Sequence, residues 1–176
     1  MCKYIIVGKG ASGKDYCQNL FIEQGYKPLI QYTSRPKRPY ETGREYHFVT
    51  KNKIERMRKK LKFASLNLYN NWYYGFTVDD FVNCDVAIVT PYNLNDLKNW
   101  YPDVLKFVTI IYLDIPVDIR KNRLKTRYNG GNEDDTITRR VEADEKDFEN
   151  FSYFDIRFTN NDDAVKYINK ITQISN

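Results

Sequence analysis

The tightest constraint on this chain lies near its amino end, where residues 4–20 read YIIVGKGASGKDYCQNL. An apolar, β-branched run closes at Gly8, and the spacing GxxxxGK then extends from Gly8 to Lys14. Such a run bounded by glycine suits a buried strand of a parallel sheet. The residues after Gly13 predict a helix with Tyr16, Leu20 and Phe21 or Gln24 turned inward and a stop at Gly25. Strand, glycine loop and helix in that order form an anion cradle, in which backbone N–H groups freed by Gly10 and Gly13 converge on phosphate oxygens and Lys14 reaches the terminal phosphates. The expected phosphate-binding segment is therefore Gly8, Lys9, Gly10, Ala11, Ser12, Gly13, Lys14 and Asp15. A hydroxyl residue is expected after the lysine, and Asp15 stands there instead. A carboxylate beside a polyphosphate is repelled unless a cation lies between them, which makes Asp15 a candidate Mg²⁺ ligand with Ser12 as a second contributor. The competing reading is that Asp15 only stabilises the helix N-terminus.

A length of 176 residues fits one domain with a substantial core. A formal charge of +5 permits an anionic ligand without demanding a nucleic acid. Cys2, Cys17 and Cys84 are too far apart for a CxxC metal or redox motif, and an odd count does not suit a disulfide framework. No apolar stretch is long enough to span a membrane and no leader is evident, so the expectation is a cytoplasmic protein with small-molecule partners. The run RMRKKLK at residues 56–62 reads as a solvated helix face, not a nucleic acid contact.

KPLIQYT at residues 27–33 reads as a second strand, and further apolar runs at residues 85–90 and 107–114 read as central strands, interleaved with helical patterns at 93–101, 116–127 and 136–151, with Asp135 or Thr136 as the cap of the last of these. A final strand and an amphipathic helix close the chain. This alternation predicts an α/β fold on an open parallel sheet. Residues 33–77 interrupt it with a proline- and arginine-rich loop, a helix at 51–61 and a hairpin turning at Asn70 and Asn71. They are expected to form an inserted lobe, with 1–32 and 78–176 as the core and about 125–140 as a helical lid.

Within the insert, TSRPKRPYETGREYHF sets Arg35 and Arg38 on a proline-stiffened backbone, which suits bidentate capture of a phosphate, and Tyr46 adds a hydroxyl. This segment resembles the TTRxPRxGExxGxDYxFV stretch of guanylate kinases through Arg35, Arg38, Glu41, Gly43, Tyr46, Phe48 and Val49, with one residue fewer between Arg38 and Tyr46. NWYYGFT resembles the family's NYYGT, which implies that Tyr74 also binds the acceptor phosphate. Together with the loop at Gly8–Lys14 the resemblance spans almost the whole chain and implies a three-layer P-loop fold, with ATP and Mg²⁺ as cofactors. Arg127 and Arg140 match the family's lid arginines, with Arg139 the alternative to Arg140. Asn160 or Asn161 resembles the segment beside the adenine of ATP. The lone His47 reads as structural.

The match fails where the family reads its base. Its glutamate falls on Ser65, its serine after the tyrosine–glycine pair on Phe76 with Thr77 one residue away, its acidic residues after the third core strand on Thr90 and Tyr92, and its serine before the first arginine on Gln31. Ser65 and Gln31 offer neutral acceptors to a base whose N–H groups need partners. The aspartate after the loop lysine also resembles phage-type deoxynucleoside monophosphate kinases. The expectation is a kinase that moves the γ-phosphoryl group of ATP to GMP, dGMP or a related (d)NMP, with nucleobase and oligomeric state open. Two rival readings are a non-catalytic guanylate kinase-like binding module and a kinase of another small phosphorylated substrate.

Overall fold

The computed structural model describes residues 1–37, 41–43, 46–60, 63–69, 71–128 and 134–174. Its elements are β1 (Tyr4–Gly8), α1 (Lys14–Glu23), β2 (Gln31–Thr33), β3 (Tyr46–Phe48), α2 (Lys51–Lys60), β4 (Phe63–Tyr69) and β5 (Trp72–Thr77), followed by α3 (Val78–Val82), β6 (Val86–Ile88), α4 (Pro91–Trp100), β7 (Thr109–Leu113), α5 (Val117–Tyr128), α6 (Asp134–Phe148), β8 (Ile156–Phe158) and α7 (Asn161–Ile174).

Four strands form a parallel sheet in the order β6-β1-β7-β8. Alternate side chains of each strand enter two different cores, which is why the strands read as unbroken apolar runs. Ile5, Val7, Ala87, Ile110 and Tyr112 pack with Leu94 and Leu97 of α4 on one side. Ile6, Val86, Ile111 and Leu113 pack with Cys17 and Phe21 of α1 and Ala164 and Ile168 of α7 on the other. The result is the expected three-layer α/β arrangement. A smaller cluster of Leu124, Ile137 and Val141 joins α5 to α6 and packs against Ala11.

Three local expectations need correction. Tyr16 is 56% exposed; the inward positions of α1 are Cys17 and Phe21, one helical turn apart, because the helix begins at Lys14 and so turns Tyr16 to solvent. Asp135 and Thr136 lie inside the first turn of α6, which already begins at Asp134. The segment 27–33 is not one strand of the core. Pro28 bridges to Val86 at the core edge and the Leu29 N–H donates to the Val86 carbonyl at 2.8 Å, after which Gln31–Thr33 enters a second sheet.

That second sheet runs β3-β2-β5-β4, with β2 and β3 parallel and the other pairs antiparallel. α2 covers one face with buried Ile54 and Met57, while Arg58, Lys59 and Lys60 in its last turn are exposed. The hairpin between β4 and β5 pairs through Tyr69 and Trp72, and Asn71 adopts a left-handed φ of 64° that asparagine tolerates well. His47 is exposed and lies against Tyr32 at 4.8 Å between ring centroids. No helix among the described residues is long and apolar enough to cross a membrane.

Candidate functional site

The loop after β1 emerges at the carboxyl edge of the parallel sheet, where ligands of open α/β sheets bind. Ala11 and Gly13 take left-handed φ values of 61° and 93°, turning successive amides toward one side. The loop is clamped from outside. Arg123 of α5 donates to the Ala11 carbonyl at 3.1 Å and to Asn161 Oδ1 at 2.8 Å, and Asn161 Nδ2 donates to the Ser12 carbonyl at 2.9 Å. Asn161 sits so close that a Cβ on Gly13 would stand 2.6 Å from its Nδ2. The sequence-nominated pair Asn160 and Asn161 is thus divided: Asn161 holds the loop, whereas Asn160 accepts from the Asp163 N–H and donates to its carboxylate at the start of α7.

Lys14 curls back over the loop and donates to the Gly8 and Lys9 carbonyls at 2.6 and 2.9 Å. Burial pushes its ammonium down to about 8, against the opposing pull of Asp15 and Asp144. Between that value and the ordinary lysine range the unfolded chain holds the extra proton. Stability attributable to this group therefore rises with pH above about 8, and below it the full cost of burying the charge is present. A bound polyphosphate stabilises the charged form, so nucleotide binding near pH 8.5 should take up to about one proton. Calorimetry of ADP binding in buffers of different ionisation enthalpy reads this directly. Uptake should vanish in Lys14→Arg, and equal heats in all buffers for the wild-type protein would refute the assignment.

A second set of charges lies against the loop from α5 and α6. Arg120 is 0% exposed, donates through Nε to the Ile115 carbonyl at 3.0 Å, pairs with Glu145, and stands 3.8 Å from Asp144. Glu145 also takes Lys9, which is 3.9 Å from Asp114. Burial works against the Glu145 charge, but Lys9 and Arg120 outweigh it and hold the carboxyl below its ordinary range. Asp144 accepts the Gly10 N–H at 2.7 Å, and a Cβ on Gly10 would lie 2.6 Å from that carboxylate and 3.2 Å from Arg140 Nε. Of the nominated arginines, Arg140 is therefore the one that the fold brings to the loop. Arg139 and Arg127 have exposed side chains. Arg120 and Arg123, which share a helical spacing with Arg127, meet Glu145 and the Ala11 carbonyl respectively, whereas Arg127 lies two turns further along α5 than Arg120 and is exposed.

Asp15 is exposed in the first turn of α1. Ser12, by contrast, is wholly buried, with its hydroxyl unpartnered and close enough to Gly8 that a Cβ there would stand 2.6 Å from it. Among the described residues no three His, Cys, Asp or Glu side chains cluster as a metal nest.

On the second sheet, Arg35 grips Glu41 through both terminal nitrogens at 3.1 and 2.6 Å and lies over the rings of Tyr46 and Phe48 at 5.6 and 5.5 Å. Tyr46 and Tyr74 meet edge to face at 6.1 Å. Burial raises the Tyr46 phenol above its usual range, with Tyr74 and then the Asp15 carboxylate adding to the effect. Asp15 of the loop and Tyr46 of the second sheet therefore share one electrostatic neighbourhood. Arg38 lies outside the described residues.

The nominated base readers are engaged within the protein. Ser65, 3% exposed, donates to Asp96 Oδ2 at 2.6 Å and accepts from Asn93 Nδ2 at 2.8 Å, clasping β4 to α4. Thr77 caps α3 by accepting the Asp80 N–H at 3.1 Å and donating to the Asp80 carboxylate. Gln31 donates to the Ile88 carbonyl at 2.8 Å, tying β2 to the end of β6. Sequence reasoning missed Asp144, Glu145, Asn93 and Asp96. They occupy ordinary polar positions on helices, and no spacing rule separates them from solvated residues.

The sequence model described as guanylate kinase matches residues 1–174. The chain is 29% identical over 153 residues to the guanylate kinase of Porphyromonas gingivalis, covering 81% of this chain and 77% of that one. It is 26% identical over 180 residues to the guanylate kinase of Wigglesworthia glossinidia brevipalpis, covering 97% and 85%. The crystal structure of guanylate kinase from Anaplasma phagocytophilum superposes with a TM-score of 0.67 at 14% identity, covering 98% of this chain and 84% of that chain, which speaks for the shared fold. With the match running almost end to end over an α/β fold that carries the strand, glycine loop and helix, the chain belongs to the guanylate kinase family of nucleoside monophosphate kinases.

Proposed function

We propose that this protein transfers the γ-phosphoryl group of ATP to the 5′-phosphate of GMP, dGMP or a related (d)NMP. The observation that carries the reading is the pairing of two anion-binding arrangements in one domain, a glycine loop with Lys14 folded over it and clamped by Arg123 and Asn161, and an Arg35, Tyr46 and Tyr74 cluster on the second sheet. Lys14 and the loop amides hold the donor phosphates, while Arg35, Arg38, Tyr46 and Tyr74 hold the acceptor. Phosphoryl transfer asks little covalent chemistry of the protein beyond alignment and charge stabilisation. Arg140, positioned over Gly10, supplies positive charge to the moving group, with Arg139 and Arg127 available as the lid at about 125–140 closes on the acceptor lobe at 33–77.

The donor set fits Mg²⁺ in one respect: Asp15 is an exposed carboxylate beside Lys14, and a hard cation accepts carboxylate, phosphate and water oxygens together. Asp15 would hold the ion, directly or through water, and the metal would neutralise charge between the phosphates. Ser12 faces inward and is not part of that set.

Release of ADP from Mg·ATP in the presence of each common ribo- and deoxyribonucleoside monophosphate tests the proposal. Turnover with one base defines the acceptor; turnover with a sugar phosphate alone favours the broader small-phosphate kinase, and silence throughout overturns the catalytic reading. For the acceptor that works, Tyr74→Phe should raise its KM about tenfold, the worth of one hydrogen bond to an ionised group. KM for Mg·ATP should stay within about twofold. An acceptor KM that does not move would remove Tyr74 from the grip.

A further inference from the structure

We infer that the Asp144 carboxylate holds the place of a donor phosphate oxygen in the nucleotide-free protein, and that the arriving donor displaces it from Gly10 onto the buried guanidinium of Arg120. The inference rests on the loop Gly8–Lys14 binding the donor, as in the proposed function. Within that loop the Gly10 N–H donates to Asp144 Oδ2 at 2.7 Å. Successive loop amides favour an anion, and α6 supplies one from within the chain. Asp144 also acts on the Lys14 ammonium, together with Arg140 and Arg120, so it lies in the field that a donor phosphate would enter. The position is not sealed: Gly10 is half-buried and the Asp144 side chain is 23% exposed. A phosphate oxygen and this carboxylate compete for one N–H, and at such separation two like charges repel.

Arg120 offers the second place. Its Nε donates to the Ile115 carbonyl and its Nη2 to Glu145, whereas Nη1 is buried without a hydrogen-bond partner among the described residues. The same Asp144 Oδ2 that accepts from Gly10 stands 3.8 Å from this nitrogen. A shift of about 1 Å brings the pair to the length of a charge-assisted hydrogen bond. An unmade bond on a buried charged group is unfavourable, so the bond formed at Arg120 offsets the one lost at the loop. Arg140 lies four residues before Asp144 on α6 and, like it, beside Gly10. The exchange therefore removes a carboxylate from the loop and leaves a cation next to the phosphate.

Equilibrium binding of Mg·ATP in the absence of acceptor tests this on the wild-type protein, Asp144→Ala, Asp147→Ala, Arg120→Lys and the double variant Asp144→Ala/Arg120→Lys, each below its melting temperature. Asp147 is exposed on the same helix and controls for the loss of one negative charge. Asp144→Ala should bind about tenfold more tightly, the worth of one hydrogen bond to an ionised group, and Asp147→Ala within about twofold of the wild type. Arg120→Lys should bind about fivefold more weakly, because the displaced carboxylate lacks its second partner, and that loss should disappear in the double variant. In the nucleotide-free proteins the Gly10 amide hydrogen should exchange faster in Asp144→Ala than in the wild type, which reads the contact without ligand or turnover.

An Asp144→Ala affinity no higher than that of the wild type, an equal gain in Asp147→Ala, or unchanged Gly10 exchange overturns the inference. A loss in Arg120→Lys that survives in the double variant overturns the transfer to Arg120. If neither the wild-type protein nor Asp144→Ala binds Mg·ATP, both this inference and the proposed function fall; if the variants behave as expected and no monophosphate is turned over, only the kinase reading fails.

Discussion

Replacing Lys14 with Met should lower kcat by about 10²–10³-fold while the melting temperature holds or rises. On the proposed function the ammonium is the charge that meets the terminal phosphates, and removing one preorganised donor from a transferring group costs about 3–4 kcal/mol of transition-state stabilisation. Methionine keeps much of the apolar stem, and the protein no longer bears the cost of burying a charge that is already pushed down to about 8. The lost bonds to the Gly8 and Lys9 carbonyls work in the other direction, so the loop loosens locally without unfolding β1. Single-turnover kinetics at saturating donor and acceptor separates this from weakened binding. A loss smaller than about fivefold would show that the loop does not serve the reaction assigned to it.

Arg120→Ala should destabilise the protein by about 3 kcal/mol, or about 6–12 °C in melting temperature for a chain of this size. The side chain has no solvent exposure and joins the Ile115 carbonyl to Glu145 beneath the loop. Its loss leaves a void and a buried carbonyl without its donor. In Glu145→Gln an amide oxygen remains to accept from Arg120 and Asp144 stays 3.8 Å away as its counter-charge, so that variant should cost only about 1 kcal/mol. The functional consequence is larger than the stability change implies, because Arg120 secures the turn of α6 that sets Asp144 and Arg140 against Gly10. Activity measured well below the melting temperature should therefore fall in Arg120→Ala and persist in Glu145→Gln. Equal melting temperatures for Arg120→Ala and the wild-type protein would refute the buried-anchor role.

Local pattern carried much of the fold. Gly8–Lys14 and the apolar runs at β1, β6 and β7 are legible because a strand buried on both faces needs no polar alternation, and because Gly13 must take a left-handed φ while Asn161 packs where a side chain would be. The hairpin turn at Asn71 follows from the same kind of local conformational preference. The contacts of Arg35 with Glu41 and Tyr46 join residues that the sequence had already singled out within one short segment.

What sequence spacing left open is what distant helices bring together. Arg120, Arg123 and Arg127 share a helical spacing, yet Arg120 pairs with Glu145, Arg123 bonds the loop at Ala11 and Arg127 is exposed, because the packing of α5 against α6 and the loop covers only its earlier turns. Asp144 and Glu145 are 134 and 136 residues from their partners in the loop, and no local rule records such pairs. Ser65 offers itself as a base reader by alignment, but Asn93 and Asp96 of α4 take its hydroxyl. The sequence by itself determined which backbone segments form the phosphate loop and the sheets, because those depend on conformational preference and apolar periodicity over a few residues. The tertiary structure alone decided which charges meet across the cleft, because hydrogen bonds and ion pairs act over a few ångströms whatever the separation along the chain.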